Sequence, residues 1–322
     1  MVNSETDFFS YVDNFSIHDE VISDLIFGKY QQTKITIAIP TFKRAELLKI
    51  ALESAINQIY YDDYLILVVD NNPVRDDETE LLMVQYKKQS NLLYYKNREN
   101  VGMTGNWNRM IQLAKSDWIV MLHDDDYLYP NYLNVLSNYL KYDTDLINSK
   151  LYRFTNKPQI QIQSHLNSHF MSFREFWRGN PINIAGVCMR REIVLKLGGF
   201  NDDFYPTQDS CFWALMAKEK PVLFIDTIIS GYRVEENTSF KEIILDGFIN
   251  NEYYLTSSIM KDTLPKLLIE IIQIERTLRL EKSIQEVFKP DFKNKIFSPN
   301  MIILFLSHLM GRIYGKYVKL FY

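Results

Sequence analysis

The sequence predicts an α/β protein: a mostly parallel central sheet with helices on both faces, followed by a C-terminal helical extension. Two observations carry this. The runs between Lys34 and Leu122 are short, apolar throughout and closed by turn residues, as strands buried on both faces are. The segments between them carry apolar residues at helical spacing, and such alternation marks crossover connections and parallel pairing.

The elements follow in order. Residues 1–33 form a polar N-terminal extension, with a short helix expected in "HDEVISDLIFGKY". "KITIAIP" is a β-branched run expected to stop at Pro40, which cannot donate to a ladder. Leu47, Leu48, Ala51, Leu52, Ala55 and Ile56 then give a helix with one apolar face. "YLILVVDNNP" is a second strand, "NLLYYKN" a third, and Trp107, Met110, Ile111 and Ala114 mark another helix. "DWIVML" is the fourth strand and runs directly into "HDDDY". Beyond it, "FREFWRGNPINIAGVCMRREIVLKLGGF" reads as helix, turn, small-residue strand and a helix stopped by Gly198–Gly199. A helix from near Asp209 and the strand "PVLFIDTIISGYRV" follow, and from about Glu242 the pattern is helical. No internal repeat, low-complexity segment or flexible linker interrupts the chain.

Composition narrows the function. The chain of 322 residues is 47% hydrophobic and 24% charged, ordinary for a globular protein. A net charge of −4 with no basic block speaks against nucleic acid as a partner. The 21 Tyr and 20 Phe suit stacking on bases or sugars, and equally suit core packing. Two cysteines, Cys188 and Cys211, form no CxxC or Cys/His cluster, which fits a reducing compartment and speaks against a disulfide framework or a structural zinc site. "MVNSETDFFSYVDNFS" lacks the basic start and apolar run of a secretory signal, so a cytoplasmic location is expected.

Chemistry concentrates where the strands end. Thr41, Asp70, Asn71 and Asp124, Asp125 and Asp126 all fall at carboxyl ends of predicted strands, where open α/β sheets gather ligands. Three adjacent carboxylates repel unless something neutralises or solvates them. A divalent cation, a solvated loop or a helix cap each satisfies that condition.

Four stretches decide among these readings by resemblance. "ITIAIPTFKRAELLKIALESAINQ", "LVVDNN", "ENVGMTGNWNRMIQLAKSDWIVMLHDDDYLYPNYL" and "GGFNDDFYPTQDSCFWALM" occur in that order. Together, over roughly residues 34–235, they resemble the family 2 glycosyltransferases, which have the GT-A fold and invert sugar configuration. The resemblance implies a glycosyltransferase domain over 34–240, with 34–130 as the nucleotide-sugar half and 131–240 as the acceptor half. Residues 241–322 remain a helical region.

The resemblance assigns roles residue by residue. "HDDDY" takes the DxD position, so Asp125, Asp124 and Asp126 would hold Mn²⁺ or Mg²⁺ on a diphosphate, carboxylates being the hard ligands these ions prefer. His123 stands where relatives carry the first Asp, either joining the site or packing. Asp126 alternatively caps the helix expected near Pro130. Pro40 and Thr41 would meet the nucleotide, with Arg44 and Glu46 reaching it or facing water. Asp70 would accept from the N3–H of uracil or thymine, implying a UDP-sugar donor with a dTDP-sugar as the alternative. Asn100 and Gly102 would border the nucleoside, and Arg233 the diphosphate or metal. Asp209 would be the catalytic base that deprotonates the acceptor; alternatively it caps its helix. Here Gln208 precedes it, where relatives often carry Glu. Trp177 and Trp213 are expected in the core or a pocket wall.

The expected reaction moves a sugar to a hydroxyl of a glycan or lipid-linked glycan in cell-surface polysaccharide synthesis. Two other classes compete with it. A nucleotidyltransferase would want a Gly-rich, Lys-bearing phosphate loop, and a sugar-binding protein would need neither Asp125 nor Asp209. The tail "LSHLMGRIYGKYVKLFY" mixes apolar residues with Arg312, Lys316 and Lys319. It suits the inner face of an anionic membrane, and equally a helix packed on the catalytic domain or an oligomer contact.

Overall fold

The apolar runs become strands because each has two cores to fill. The computed structural model describes residues 2–16, 22–155, 167–234 and 242–287. Its first half runs β1 (Ser23–Phe27), β2 (Ile35–Thr41), α1 (Ala45–Ile56), β3 (Tyr64–Asp70), α2 (Glu78–Val84), β4 (Leu92–Asn97), α3 (Gly102–Leu113) and β5 (Trp118–Met121). Then come β6 (Tyr127–Leu128), α4 (Tyr132–Ser137), β7 (Leu146–Phe154), β8 (Ser168–Met171), a 3₁₀ turn (Phe173–Arg178), β9 (Val187–Arg190) and α5 (Arg191–Lys196). α6 (Gln208–Glu219), β10 (Val222–Arg233), α7 (Glu242–Met260) and α8 (Lys266–Val287) complete the described chain.

The ten strands form one sheet in the order β1-β4-β3-β2-β5-β9-β7-β10-β6, with β8 also on β10. β4, β3, β2 and β5 are mutually parallel, β9 runs against β5 and β7, and β10 is parallel to β7. Side-chain alternation feeds two cores. In β3, Leu65, Leu67 and Val69 join Trp107, Met110 and Trp213 of α3 and α6 on one face. Ile66 and Val68 join Leu48, Leu52 and Leu133 of α1 and α4 on the other. Helices on both faces and the parallel block β4-β3-β2-β5 are thus what the sequence predicts, whereas β1, β6, β8 and β9 pair antiparallel and make the whole sheet mixed.

Three local expectations change. Residues 23–27 of the expected helix at 18–30 form β1, antiparallel to the open edge of β4, with Ser23 opposite Asn97. An unpaired edge offers more hydrogen bonds than a five-residue amphipathic turn can. β2 also runs one residue past Pro40. The last β2–β5 pair is Ala38 with Met121, so the missing Pro40 N–H interrupts no ladder there. Further, Val2 and Phe8 lie in the main core, and Asn14 N–H donates to Gly198 O at 2.9 Å. Gly198 ends α5 with φ +86°, and a Cβ there would sit 1.9 Å from Val12 O. No described helix is long and apolar enough to cross a membrane. Residues 288–322, including the expected surface-binding tail, lie outside the described residues.

The ends of β3 and β4 are locked by a buried charge cluster. Lys96, 2% exposed, donates to Asp70 Oδ2 at 2.7 Å and to Asp77 Oδ1 at 3.0 Å. Tyr94 Oη donates to the same Asp70 oxygen at 2.9 Å, and Asn72 N–H to the other at 2.9 Å. Removing Lys96 would leave a wholly buried carboxylate without its cation. Lys96→Met is expected to cost about 3–5 kcal/mol in urea unfolding, with Asp70→Asn in the same chain recovering part of it. A loss below about 1 kcal/mol, the scale of an exposed pair, would refute the locking role.

Candidate active site

The polar strand ends converge at one end of the sheet. β5 ends at Met121, and Leu122 N–H still donates to Ala38 O at 3.0 Å, so the chain delivers His123 and the three aspartates beside the end of β2. Each aspartate then meets a different partner. Asp124 Oδ2 accepts from Thr41 Oγ1 at 2.8 Å, and Arg44 Nη1 reaches Asp124 Oδ1 at 3.4 Å. The same Arg44 nitrogen donates to Asp125 Oδ2 at 2.9 Å. Asp126 Oδ1 accepts from the Arg233 N–H at 3.1 Å, and Arg233 Nε donates to Asp125 O at 3.0 Å. Arg233 also lies over the Phe154 ring, 4.7 Å from its centroid. Asp126 therefore ties β5 to β10 and caps no helix: α4 starts at Tyr132 behind Asn131.

Burial shapes the charges. Burial first, then the Asp125 charge, pushes the Asp124 carboxyl up to about 6 despite Thr41 and Arg44. The same two causes hold Asp126 well above its ordinary value. Burial lowers His123, keeping the imidazole neutral, and its ring stacks on Trp107 at 5.3 Å. Ligand atoms of His123, Asp125 and Asp126 lie within 4.8 Å of one another. His123 Nε2 and Asp126 Oδ2 are buried with no hydrogen-bond partner among the described residues. A neutral imidazole nitrogen and two carboxylates form a donor set that fits a divalent cation. Of the expected ligands, Asp125 and Asp126 are brought together with His123, whereas Asp124 turns to Thr41 and Arg44.

The nucleotide-side residues divide into surface and floor. Pro40 and Thr41 are buried at the end of β2 next to the trio. Glu46 is exposed in the first turn of α1, outside the cluster. Asn100 Oδ1 accepts from Asn71 Nδ2 at 2.7 Å and from Gly102 N–H at 2.9 Å, so Asn71 holds this loop against the end of β3. Gly102 has φ +74°, and open space lies where its Cβ would be. Asp70 departs from its expected place. It is 0% exposed and its carboxylate already serves Tyr94, Lys96 and Asn72. It forms the floor of this side and does not present an oxygen to a base. Lys96 and Asp77, which impose that role, carry no motif in the sequence.

Asp209 lies in the first turn of α6, inside the helix rather than at its cap, which is Thr207. Burial pushes its carboxyl up to about 6, opposed by backbone N–H groups of the same turn. Gln208 is buried and donates to Thr104 Oγ1 at 3.4 Å. Trp213 is core, and Trp177 lines a cavity beside α7 and α8. Tyr232 links the two acidic groups: burial first, then the charges of Asp126, Asp125 and Asp209, push its hydroxyl up to about 12.

Comparison with known proteins identifies the family and the fold. The family model "Glycosyl transferase family 2" matches residues 36–198, half of the chain, and the chain belongs to that family. It is a glycosyltransferase. The GalNAc(5)-diNAcBac-PP-undecaprenol beta-1,3-glucosyltransferase of Campylobacter jejuni is 23% identical over 319 residues, covering 89% of this chain and 97% of that protein. TarS of S. aureus, solved with UDP-GlcNAc, superposes with a TM-score of 0.57 at 14% identity, over 80% of this chain and 76% of that one. A mannosyltransferase of Pyrobaculum calidifontis, solved with GDP-Man and Mn²⁺, gives 0.53 at 12% identity, over 90% and 83%. At these identities the two structures establish the GT-A fold.

The raised carboxyls set a pH signature for the metal-free protein. Asp124 titrates near 3.8 when unfolded and near 6 when folded, so the folded state holds its proton more tightly. Its contribution is complete below about pH 4 and lost as pH rises to about 6. A difference of that size between the two states corresponds to about 3 kcal/mol. In EDTA, Asp124→Asn should therefore gain on wild type by up to that amount between about pH 4 and 7. Parallel stability–pH curves for the two proteins would contradict the assignment.

Proposed function

We propose that the protein is an inverting glycosyltransferase that takes a nucleotide-diphosphate sugar, in first place a UDP-sugar with a dTDP-sugar as the alternative. The acceptor is a hydroxyl of a glycan or lipid-linked glycan in cell-surface polysaccharide synthesis. The observation that carries the reading is the meeting of His123, Asp125 and Asp126 at the end of the sheet that Thr41, Arg44 and Arg233 also reach. Relatives support it. The TarS structure contains UDP-GlcNAc, and the mannosyltransferase structure contains a nucleotide sugar with Mn²⁺.

Asp125, Asp126 and His123 would hold the Mn²⁺ or Mg²⁺ ion, and Asp124 supports them by fixing Thr41 and Arg44. Such an ion, when bound, neutralises charge developing on the departing diphosphate. Arg44 and Arg233 bring further positive charge to that end. Asn100 and Gly102 border the nucleoside, and Asp70 fixes the floor on that side by holding Asn72 and Lys96. Asp209 removes the acceptor hydroxyl proton as that oxygen attacks the anomeric carbon. One carboxylate placed for this purpose suffices for a single displacement with inversion. A nucleotidyltransferase would instead release pyrophosphate.

Three measurements check this reading. Asp209→Asn should lower kcat by roughly 10²–10⁴ while leaving UDP binding in place, and near wild-type transfer would exclude Asp209 as base. Because the base works deprotonated and titrates at about 6, wild-type kcat/KM should climb with pH to about 6 and level above it. Separately, titration calorimetry with Mn²⁺ alone should show binding by wild type that His123→Ala and Asp126→Asn each weaken about tenfold or more. Undiminished Mn²⁺ affinity in both variants would place the ion elsewhere.

A further inference from the structure

A cavity bordered by the C-terminal helices is lined by none of the residues assigned to the donor or the metal. It occupies about 670 Å³ between α7, α8 and the 3₁₀ turn Phe173–Arg178, within the range of about 300–1,000 Å³ usual for small-molecule sites. Its apolar lining includes Trp177, Phe248, Ile249 and Leu280. Its charged lining is four arginines, Arg153, Arg178, Arg276 and Arg279, against two glutamates, Glu252 and Glu275. This is a cationic surplus in a chain of net charge −4. Arg276 is paired with Glu252 at 3.7 Å, and Arg279 with Glu275 on the same helix. Glu252 is 5% exposed, and its Oε1 has no partner among the described residues.

The cavity adjoins the residues assigned to the reaction. Glu252 takes a hydrogen bond from the side chain of Ser210, the residue after Asp209. Arg153, at the carboxyl end of β7, is paired in register with Tyr232 of β10. Tyr232 feels the charges of Asp125, Asp126, Asp209 and Arg153 together, so cavity and carboxylates share one end of the sheet. We propose that this cavity is the acceptor site and that it takes an amphipathic diphosphate, a lipid-linked glycan. The guanidinium groups hold the diphosphate, and the aromatic and aliphatic walls of α7 and α8 hold the first part of the lipid. A neutral oligosaccharide would need neither, because its hydroxyls gain little from guanidinium groups set among isoleucine and phenylalanine. The acceptor role rests on the proposed glycosyltransfer, whereas the ligand chemistry can be measured apart from it.

The full chain is titrated with farnesyl diphosphate, farnesol and inorganic pyrophosphate in EDTA, following tryptophan fluorescence, since Trp177 lines the cavity. Farnesyl diphosphate should bind at least about tenfold more tightly than either fragment, and UDP should not displace it. Arg153→Gln and Arg178→Gln should each weaken it about tenfold, as loss of a hydrogen bond to a charged group does. Equal binding of farnesol would remove the diphosphate subsite. Displacement by UDP, or wild-type affinity in both variants at unchanged unfolding midpoints, would overturn the cavity assignment. Donor turnover is scored separately: if no UDP-sugar is hydrolysed or transferred while farnesyl diphosphate still binds, the glycosyltransfer reading fails and the lipid-diphosphate site stands.

Discussion

Three consecutive carboxylates at the end of a strand buried on both faces form the constraint around which this protein is arranged. Mutual repulsion and lost hydration both oppose ionisation there. The fold answers each carboxylate separately. Asp124 is drawn under β2 by Thr41 and Arg44, Asp126 is stitched to β10 by the Arg233 N–H, and Asp125 is left between two arginines. The result is a cluster whose outer members are fixed from opposite sides of the sheet. Its middle member, Asp125, side chain 14% exposed, keeps access to solvent.

That division of labour depends on topology. β2 and β5 are neighbours, so Thr41 and the trio leave the sheet side by side. β10 comes from far along the chain and is bent, with register shifts against β7 at Ile225/Ile228 and Ile228/Ser230. This one long strand pairs with β8 at its start and with β6 near its end. β6 directly follows the aspartates, so Arg233 arrives beside Asp125 and Asp126.

Much of this was legible in the sequence, for physical reasons. β2, β3, β4 and β5 are buried on both faces, and that demand writes unbroken apolar runs. The stop at Gly198–Gly199 was legible because only glycine tolerates the φ and the closeness of Val12 O. β1 and β7 were not legible. β1 is an edge with Leu25 exposed, and β7 carries Asn148, Ser149 and Lys150, polar because Asn148 hydrogen-bonds the backbone of Asn183. At the site, the acidic trio and Asp209 stood out by position. The true surroundings of Asp70 did not, because Lys96 lies 26 residues away and resembles any strand lysine until it is seen at 2% exposure. Glu252 gave no signal either. Its significance comes from packing against α6 and α8, which no local pattern records.

Asp124 and Asp209 show how little a carboxyl's titration says without its neighbours. Burial pushes both to about 6. Asp124 reaches that value against Thr41 and Arg44, with Asp125 raising it further, so a cation beside Asp125 would also favour its ionised form. Asp209 is opposed by the N–H groups of its own helix turn, and no cationic side chain sets its titration. Its basicity comes from the low polarity around α6 and is retained whatever neutralises the trio. One acid is therefore coupled to the donor-side charge and the other is insulated from it. In the proposed reaction, that separation would let a base stay poised near neutrality beside a diphosphate and a metal.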